Sequence, residues 1–341
     1  MQQILNLFDD ILANGHDHAD RTGVGRRSVF GRELRFNLAD GFPLVTTRKV
    51  FAYGFIQEML WFLSGSCNAL ELEAKRVNIW KAWTPTQADA DVFAEKLSKP
   101  NGLNALPPAV RAAICSEFLD LPHDEPDVLD AIKALFAPRV GTIGPMYGAI
   151  WRGHYPVYGT DANAPDQIAA LVEGLKTNPW GSRHCVSAHL PEFLPLPNFS
   201  PKENVLLGRG ALAPCHCFFQ CFVSPPANDT STQLRLSLKL EVRSSDTAVG
   251  LPYNVAQYAL LLFMLARCTG MEAHELIVSI GDAHVYLDQI ELVKEQLTRE
   301  PRELPDLLIK PGVDDIFGFY AEDFMLSDYN PHAVIKYPVA T

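Results

Sequence analysis

The segment 233–243, QLRLSLKLEVR, is the feature that most limits how this chain folds. Apolar side chains occupy every second position from Leu234 to Val242, and polar or charged side chains occupy the positions between them. Because successive side chains of a β-strand point to opposite faces of a sheet, this period of two predicts a long strand. One face of the strand belongs to the core, and Arg243 lies on the polar face.

The rest of the chain mixes helix and strand patterns without a regular βαβ rhythm. Helices are expected at 2–14, 51–64, 164–177, 254–268 and 285–297, and further strands at 184–189, 215–223 and 275–280. Gly15 and Gly65 follow the first two helices, as glycine often does at a helix end. This mixture predicts the α+β class.

Residues 84–141 differ in character from the rest of the chain. They hold three short helical patterns, AEKLSK, PPAVRAAICSEFL and PDVLDAIKALF, separated by Pro, Gly and Asn. No Gly/Ser-rich linker and no fixed-period repeat divides the chain. We therefore expect a single domain over 1–341, with a helical insertion at about 84–141 packed on its main body.

Composition and charge exclude several classes of protein. The chain has 341 residues, 48% of them hydrophobic, and a formal net charge of −11 at pH 7. Non-specific binding of nucleic acid needs dense positive charge, so no nucleic-acid partner is expected. The longest strongly apolar run, 258–266, is too short to span a bilayer. The first residues carry Asp9 and Asp10 in an amphipathic pattern unlike a signal peptide, so a cytoplasmic protein is expected.

Residues 212–223, LAPCHCFFQCFV, hold three of the seven cysteines. A period of two places Cys215, Cys217 and Cys221 on one face and His216 on the other. Same-face neighbours lie roughly 7 Å apart, which disfavours a shared zinc ion, and no metal is expected. The spacings are not C-x-x-C, and an odd number of cysteines without an export signal indicates reduced thiols. Cys215 follows a proline at the mouth of the strand, so it is either a reachable nucleophile or a small packing residue.

Two other sets of side chains are compatible with a ligand site without specifying one. Arg21 lies on the loop DRTGVGRR and Arg243 begins the turn RSSD, so they either form surface ion pairs or converge on a phosphate. The loop lacks the G-x-x-x-x-G-K-[ST] pattern and is not a P-loop. The second set is compatible with core packing or with a pocket for a flat heterocycle. It consists of Trp80, Trp83, Tyr147, Trp151, Asn254, His284 and Tyr286.

A series of longer motifs in the chain resembles those of a known protein family. In chain order they are DRTGVGRRSVFG, FNLADGFPLVTTRK, EMLWFLSG, VNIW, GPMYGAIWR, LAPCHCFFQ, RSSD, GLPYNVAQYALL, GDAHVYLDQIE, REPR and PVAT. Together they resemble the thymidylate synthase family over most of the chain outside 84–141 and roughly 190–212. The resemblance implies a mixed β-sheet packed with helices and a homodimer formed through the sheets.

The resemblance also implies reductive methylation of dUMP to dTMP, with 5,10-methylenetetrahydrofolate as the donor of carbon and hydride. Cys215 corresponds to the nucleophile that adds to C6 of the pyrimidine, which makes C5 the carbon that attacks the folate methylene. A thiolate suits this step, and we expect Arg243 to lower the pKa of the thiol. Glu58 corresponds to the carboxylate that organises proton transfer, and Tyr147 to a hydroxyl near the C5 proton.

The remaining site residues correspond to family contacts with the two substrates. Asn254 matches the residue that reads the uracil edge, since a side-chain amide both donates and accepts, whereas an aspartate would favour cytosine. Asn254 and Asp246 complete the expected catalytic set. The residues that correspond to contacts with dUMP are Arg21, Arg183, His184, Arg243, Ser244, Asn254, His284 and Tyr286, with Arg183 donated across the dimer interface. The folate corresponds to Trp80, Trp83, Asp246, Gly250 and Ala340.

Four departures from the family pattern leave the last chemical step open. His184 and Val242 stand where the family carries Arg and Gln, and His189 and Leu190 stand where it carries Trp and Asn. The segment 191–210 is longer than expected. Pyrimidine hydroxymethylases form the same covalent adduct but add water to the methylene. Hydroxymethylation of dUMP, and less so of dCMP, is therefore the alternative activity.

One observation favours the reductive enzyme over the hydroxymethylase, and a second favours an enzyme over a binding protein. Trp80 is the kind of apolar wall that keeps water from the methylene. A family member that binds nucleotide without turnover is disfavoured by the intact residues Cys215, Arg243, Asn254, Glu58 and Tyr147.

Overall fold

The computed structural model describes residues 1–20, 22–99, 101–106, 108, 111–112, 127–155 and 164–339. The chain separates into two compact units. Unit 1 comprises Met1–Gly65, Ile150–Ala188 and Pro214–Thr341, and unit 2 comprises Ser66–Ala149 and His189–Ala213. That the chain acts as one domain with an insertion stays a prediction.

The elements are numbered here in chain order. The helices are α1 Gln2–Asn14, α2 Ala52–Ser64, α3 Leu70–Ala74, α4 Gln87–Ser98, α5 Asp127–Phe136, α6 Gly148–Trp151, α7 Gln167–Thr177, α8 Pro201–Leu206, α9 Gly250–Thr269 and α10 Ile290–Leu297. The strands are β1 His16–His18, β2 Arg26–Asn37, β3 Cys185–Ser187, β4 His216–Ser224, β5 Arg235–Asp246, β6 Glu272–Tyr286, β7 Asp306–Ile309 and β8 Phe324–Ser327.

The main sheet of unit 1 has the strand order β1-β2-β6-β5-β4-β3. Neighbouring strands pair antiparallel except β5 and β6, which are parallel. Parallel neighbours need a crossover connection, and α9 supplies it between the end of β5 and the start of β6. This mixed sheet with helices packed on it confirms the predicted α+β class.

Burial of one sheet face against α9 forms the core of unit 1. Leu236, Leu238 and Leu240 of β5 are fully buried, as the period of two predicts. α9 contacts both β5 and β6, and most of its side chains are buried, as expected for a helix that is apolar nearly all round. It begins at Gly250, four residues before the predicted start, because Pro252 lies in the first turn, where proline needs no backbone donor.

A second buried helix, α2, carries Glu58. It ends at Gly65, which has a left-handed backbone with φ of 76° and ψ of 6°. A Cβ atom at this position would collide with the ring of His154. Glycine is therefore required there for both conformation and space, as the sequence pattern indicates.

Some predicted boundaries are wrong at the C-terminal side of the sheet. β6 covers Glu272–Tyr286 instead of 275–280, and the helix predicted at 285–297 begins only at Ile290. The sequence GDAH at 281–284 lacks apolar alternation, so its strand character is not visible locally. Backbone pairing with β2 on one side and β5 on the other makes it a strand.

The start of β4 breaks the strict alternation predicted from the sequence. Its register with β5 shifts between His216 and Phe218, as at a β-bulge. The rings of His216 and Phe219 both pack against Tyr258, with centroids 5.4 and 5.6 Å away. His216 therefore lies on the buried face with Cys221, and the prediction that these two residues occupy opposite faces is wrong.

Unit 2 has a hydrophobic core of its own, which joins two segments far apart in sequence. Helices α4 and α5 come from the predicted insertion, and α8 comes from the lengthened segment 191–210. The rings of Phe93 and Phe136 stack with centroids 5.5 Å apart, and Phe199 packs edge-on against Phe93. The buried members are Ala90, Phe93, Ala94, Leu97, Leu106, Ile132, Phe136, Leu206 and Leu207. Part of the predicted insertion, including 113–126, lies outside the described residues.

Polar contacts fix the position of α8 within this unit. Ser200 and Glu203 form a capping box at its start. Lys96 of α4 pairs with Glu203 at 2.8 Å, and Lys202 pairs with Asp89 at 3.0 Å. Since surface ion pairs contribute little to stability, the apolar core holds these helices together.

We expect Phe93→Ala to destabilise unit 2 by about 3 to 5 kcal/mol, because it removes a buried ring and leaves a cavity beside Phe136. Val92→Ala on the same helix is the matched control, since Val92 is 69% exposed and its loss changes stability by under about 0.5 kcal/mol. Urea unfolding followed by tryptophan fluorescence gives both values. Equal, small effects of the two changes would contradict a core at this place.

Candidate active site

The candidate nucleophile is held against the end of β5. Arg243 donates its backbone N–H to the Cys215 carbonyl oxygen at 2.7 Å, and its Nε donates to the Pro214 carbonyl oxygen at 3.3 Å. These bonds bracket Cys215, which is partly exposed. Burial raises the pKa of the Cys215 thiol, and the Arg243 guanidinium opposes that rise. The predicted influence of Arg243 is therefore present, but burial outweighs it.

The neighbouring cysteines have packing roles. Cys221 is buried, and burial raises its pKa to about 12. Cys217 Sγ contacts the Glu241 carbonyl oxygen at 3.5 Å. Burial also raises the pKa of Cys217. Neither thiol is easily ionised, as is usual for cysteines that act as small packing residues of a strand.

His216, next to the candidate nucleophile, is part of the core. Its Nδ1 and the Tyr258 hydroxyl lie 2.8 Å apart and share a hydrogen bond. The ring also packs against Phe62 of α2, with centroids 6.0 Å apart. Burial lowers the pKa of His216 to about 3, so the imidazole stays neutral. This placement makes His216 a support for the strand that follows Cys215.

Glu58 is buried on α2 and meets a buried amide from α9. Gln257 donates its Nε2 to Glu58 Oε2. Both side chains are among the few buried polar groups of these two helices. Burying a carboxylate without hydrogen-bond donors is unfavourable, so this amide is a partner that Glu58 needs.

The turn between β5 and α9 is organised by Asp246. Asp246 Oδ1 accepts hydrogen bonds from the backbone N–H groups of Val249 at 2.9 Å and Ala248 at 3.1 Å. Oδ2 accepts from Gln289 Nε2 at 3.1 Å. Burial raises the pKa of Asp246, and these hydrogen bonds oppose the rise. A carboxyl in this environment can serve as a donor or an acceptor to a polar ligand.

Asn254 lies one turn into α9, beside Gly250. The Asn254 Oδ1 atom is 3.9 Å from where a Cβ at Gly250 would lie, so glycine leaves space next to the amide. Within the described residues, the Asn254 side chain makes no hydrogen bond. Its donor and acceptor groups are available to a ligand.

The register of the parallel strands brings His284 and Ser244 to the same end of the sheet. Asp246 pairs with His284, and Ser244 pairs with Asp282. The His284 carbonyl oxygen accepts from Thr247 through its backbone N–H at 2.9 Å and its hydroxyl at 2.8 Å. The His284 ring is perpendicular to that of Tyr286 at 5.3 Å. Five predicted residues of β5 and β6 therefore lie together: Arg243, Ser244, Asp246, His284 and Tyr286.

Arg183 and His184 lie elsewhere on unit 1. The Cys221 backbone N–H donates to the His184 carbonyl oxygen at 2.7 Å. Cys221 is six residues from Cys215, which along an extended strand is roughly 20 Å. His184 is buried, and its Nε2 donates to the Asn178 carbonyl oxygen at 2.9 Å. Arg183 is exposed. Within one protomer, neither residue is brought next to Cys215.

Three predicted residues form an aromatic cluster inside unit 2. Trp80 contacts Trp83 and Tyr147, with ring centroids 5.7 and 6.1 Å apart. Tyr147 is buried and has a φ of 36°, which is uncommon for a residue other than glycine. Such strain is typical of functional positions that the surrounding structure enforces.

Several remaining predictions have no such placement. Arg21 and Ala340 lie outside the described residues. Val242, one of the departures, is buried and pairs with His216 and Ile280, so its side chain belongs to the sheet core. Of the described part of the chain, no group of three or more His, Cys, Asp or Glu side chains is arranged to hold a metal ion. In the same part, no helix is long and apolar enough to cross a membrane.

The structure also shows contacts that sequence reasoning missed. Gln257 and Gln289 support Glu58 and Asp246, respectively, and Arg48 Nη2 donates to the Ala248 carbonyl oxygen at 2.7 Å. The available signal was weak. It consisted of a polar Gln257 within a strongly apolar helix, which by itself names no partner.

Comparison with known protein families agrees with this arrangement. A family model described as thymidylate synthase matches residues 2–341. The match covers nearly the whole chain, including both units. The chain therefore belongs to the thymidylate synthase family, whose members are one-carbon transferases that act on dUMP with 5,10-methylenetetrahydrofolate as co-substrate.

Proposed function

We propose that this protein catalyses the reductive methylation of dUMP to dTMP through a covalent adduct at Cys215. The observation that carries the proposal is the bracketing of Cys215 by Arg243, next to the polar ends of β5 and β6. A thiol, a guanidinium and several hydrogen-bonding groups near the end of β5 support a covalent reaction with a polar substrate.

The first step uses the thiolate of Cys215. Because the thiolate is the reactive form, it must be generated against the raised pKa that burial imposes. The positive charge of Arg243 favours the thiolate, and a dUMP phosphate held nearby would also contact this guanidinium. Addition of sulfur to C6 gives an enolate-like pyrimidine whose C5 attacks the one-carbon unit.

Asn254 and the sheet residues are proposed to orient the nucleotide. The open amide of Asn254 matches the N3–H and O4 edge of uracil, since it can donate and accept at once. Ser244 and Arg243 would hold the phosphate, and His284 and Tyr286 would hold the 3′-hydroxyl. Arg21 remains a further proposed phosphate ligand.

The one-carbon donor is proposed to be bound by Asp246, Gly250, Trp80, Trp83 and Ala340. This co-substrate supplies the methylene carbon and then the hydride, which leaves dihydrofolate. Asp246 offers a carboxyl fixed by three donors, which suits the polar edge of a pterin. Glu58 and Tyr147 would manage removal of the C5 proton, and hydride transfer to the methylene would then break the C6–S bond and return the Cys215 thiolate.

Hydroxymethylation of dUMP is the second candidate, and it differs only in the last step. Water would replace hydride at the exocyclic methylene, and tetrahydrofolate would be released. His189 and Leu190, which differ from the family pattern, belong to unit 2, as Trp80 does. Trp80, packed between Trp83 and Tyr147, favours exclusion of water and therefore reduction.

We further propose that the active enzyme is a homodimer formed through the main sheet. Phe222 of β4 is 67% exposed and Phe30 of β2 is 82% exposed, although both belong to that sheet. Large aromatic side chains that a single chain leaves exposed on a sheet are typical of a surface that another protein chain covers. In such a dimer Arg183, exposed and distant from Cys215 of its own chain, would reach the phosphate site of the partner subunit. A cytoplasmic location fits a nucleophilic thiol that must stay reduced.

Product identification tests the proposed reaction directly. On incubation with dUMP and 5,10-methylenetetrahydrofolate we expect dTMP by mass spectrometry and an equal amount of dihydrofolate by absorbance. Formation of 5-hydroxymethyl-dUMP with tetrahydrofolate would establish the second candidate instead. Absence of both products would refute the family reaction for this chain.

The nucleophile is tested by two matched cysteine variants. Cys215→Ala removes the group that forms the covalent bond, so turnover is expected to vanish, a loss of about 10⁴-fold or more. Cys217→Ala, two residues further along the chain and inside β4, is expected to keep turnover within a few-fold of the parent. Dihydrofolate formation measures both. Substantial turnover by the Cys215 variant would assign the nucleophile to another residue.

Base selectivity is tested at Asn254. Asn254→Asp replaces the amide donor by a carboxylate, which accepts from the amino group of cytosine but repels the O4 of uracil. We expect the ratio of kcat/KM for dCMP over dUMP to rise by at least about 100-fold. Equal loss of activity on both nucleotides would mean that Asn254 does not read the base.

A further inference from the structure

One face of α9 reaches three parts of the candidate site. Gln257 and Tyr258 lie three and four residues after Asn254, so both side chains are on the side of the helix that carries Asn254. The Asn254 amide is available to a ligand. Gln257 forms a hydrogen bond with Glu58, and Tyr258 forms one with His216. Gln257 itself has no direct part in the proposed reaction.

The buried position of Gln257 is destabilising unless its side-chain amide forms a hydrogen bond. Gln257 is only 1% exposed and lies between Val255, Ala256 and Ala259, all buried apolar residues. Burying an amide without a hydrogen-bond partner is unfavourable. Its Nε2 finds that partner in Glu58 Oε2 on α2. The amide therefore ties the orientation of the Glu58 carboxyl to α9, the helix that also carries Asn254.

Three other titratable groups lie on or against α2 and the facing side of α9, namely Tyr258, His216 and Asp323. Burial raises the pKa of Tyr258 well above its usual value and lowers that of His216 to about 3, so both remain neutral at ordinary pH. Asp323, on the turn Ala321–Asp323 that packs against α2, accepts from the Tyr320 backbone N–H and faces Lys310. Of these groups, Glu58 is the one next to the amide of Gln257.

We propose that Gln257 is a positioning residue for Glu58. Its amide holds the Glu58 carboxyl in one orientation and favours the ionised form of that carboxyl. A donor to a carboxylate stabilises the charged form, so removal of the Gln257 amide makes Glu58 easier to protonate. The proposal rests on the proposed function for the role of Glu58 in proton transfer. The Gln257–Glu58 contact itself is independent of which product the enzyme forms.

The test compares Gln257→Leu with Gln296→Leu. Gln296 is also fully buried, and it donates to the Thr47 hydroxyl at 2.8 Å, so the second variant makes the same chemical change away from Glu58. Protonation of Glu58 in the ligand-free protein is followed by the infrared carbonyl band that is absent from Glu58→Gln. Steady-state turnover of dUMP is measured across pH on the same proteins.

The expected result is specific to Gln257. Its leucine variant shifts the Glu58 protonation midpoint and the acid limb of kcat upward by about one pH unit, and lowers kcat about 10- to 100-fold with little change in KM for dUMP. Gln296→Leu moves neither pH value. Gln257→Glu keeps the shape and must share a proton with Glu58, so it shifts the midpoint further and replaces the leucine variant if that one unfolds.

Two results would overturn the proposal. One is an unchanged infrared midpoint in both Gln257 variants, and the other is a fall in kcat that Gln296→Leu reproduces with the same loss of melting temperature. A third result separates the two proposals. If the midpoint shifts in Gln257→Leu but the parent protein does not turn over dUMP, the positioning role of Gln257 stands and the proposed function is refuted.

Discussion

The parallel pairing of β5 with β6 is the constraint on which the rest of unit 1 depends. Parallel neighbours cannot be joined by a tight turn, so the chain must leave the end of β5 and return to the start of β6 over a long connection. α9 is that connection, and burial of its apolar surface on both strands fixes its place. Its first turn therefore begins beside the end of β5, where Arg243 and Asp246 lie.

Burial then sets the charge of the groups that gather there. It raises the pKa of Cys215 and of Asp246, and it lowers the pKa of His216. All three shifts favour the neutral form, as expected where water is excluded. The groups that oppose this tendency include the Arg243 guanidinium for the thiol, and the Gln289 amide and two backbone N–H groups for Asp246.

Unit 2 explains two segments that the family resemblance leaves out. The described helices of the insertion, α4 and α5, pack with α8 of the segment 191–210 in one apolar core. Residues about a hundred positions apart thus form a single structural element. A change in one segment is expected to be felt in the other, because the stacked rings of Phe93 and Phe136 share their core with Leu206.

The sequence by itself determined the α+β class, the buried faces of β5 and α9, the glycine that ends α2, and the family. These features rest on local periodicity, on backbone conformation that only glycine adopts easily, and on long motifs. The strand character of GDAH in β6, the bulge that turns His216 inward and the contact of Gln257 with Glu58 were decided by tertiary structure alone. Each depends on a partner distant in sequence, such as β2 for β6 or α2 for Gln257, and the local pattern around a residue does not contain its partner.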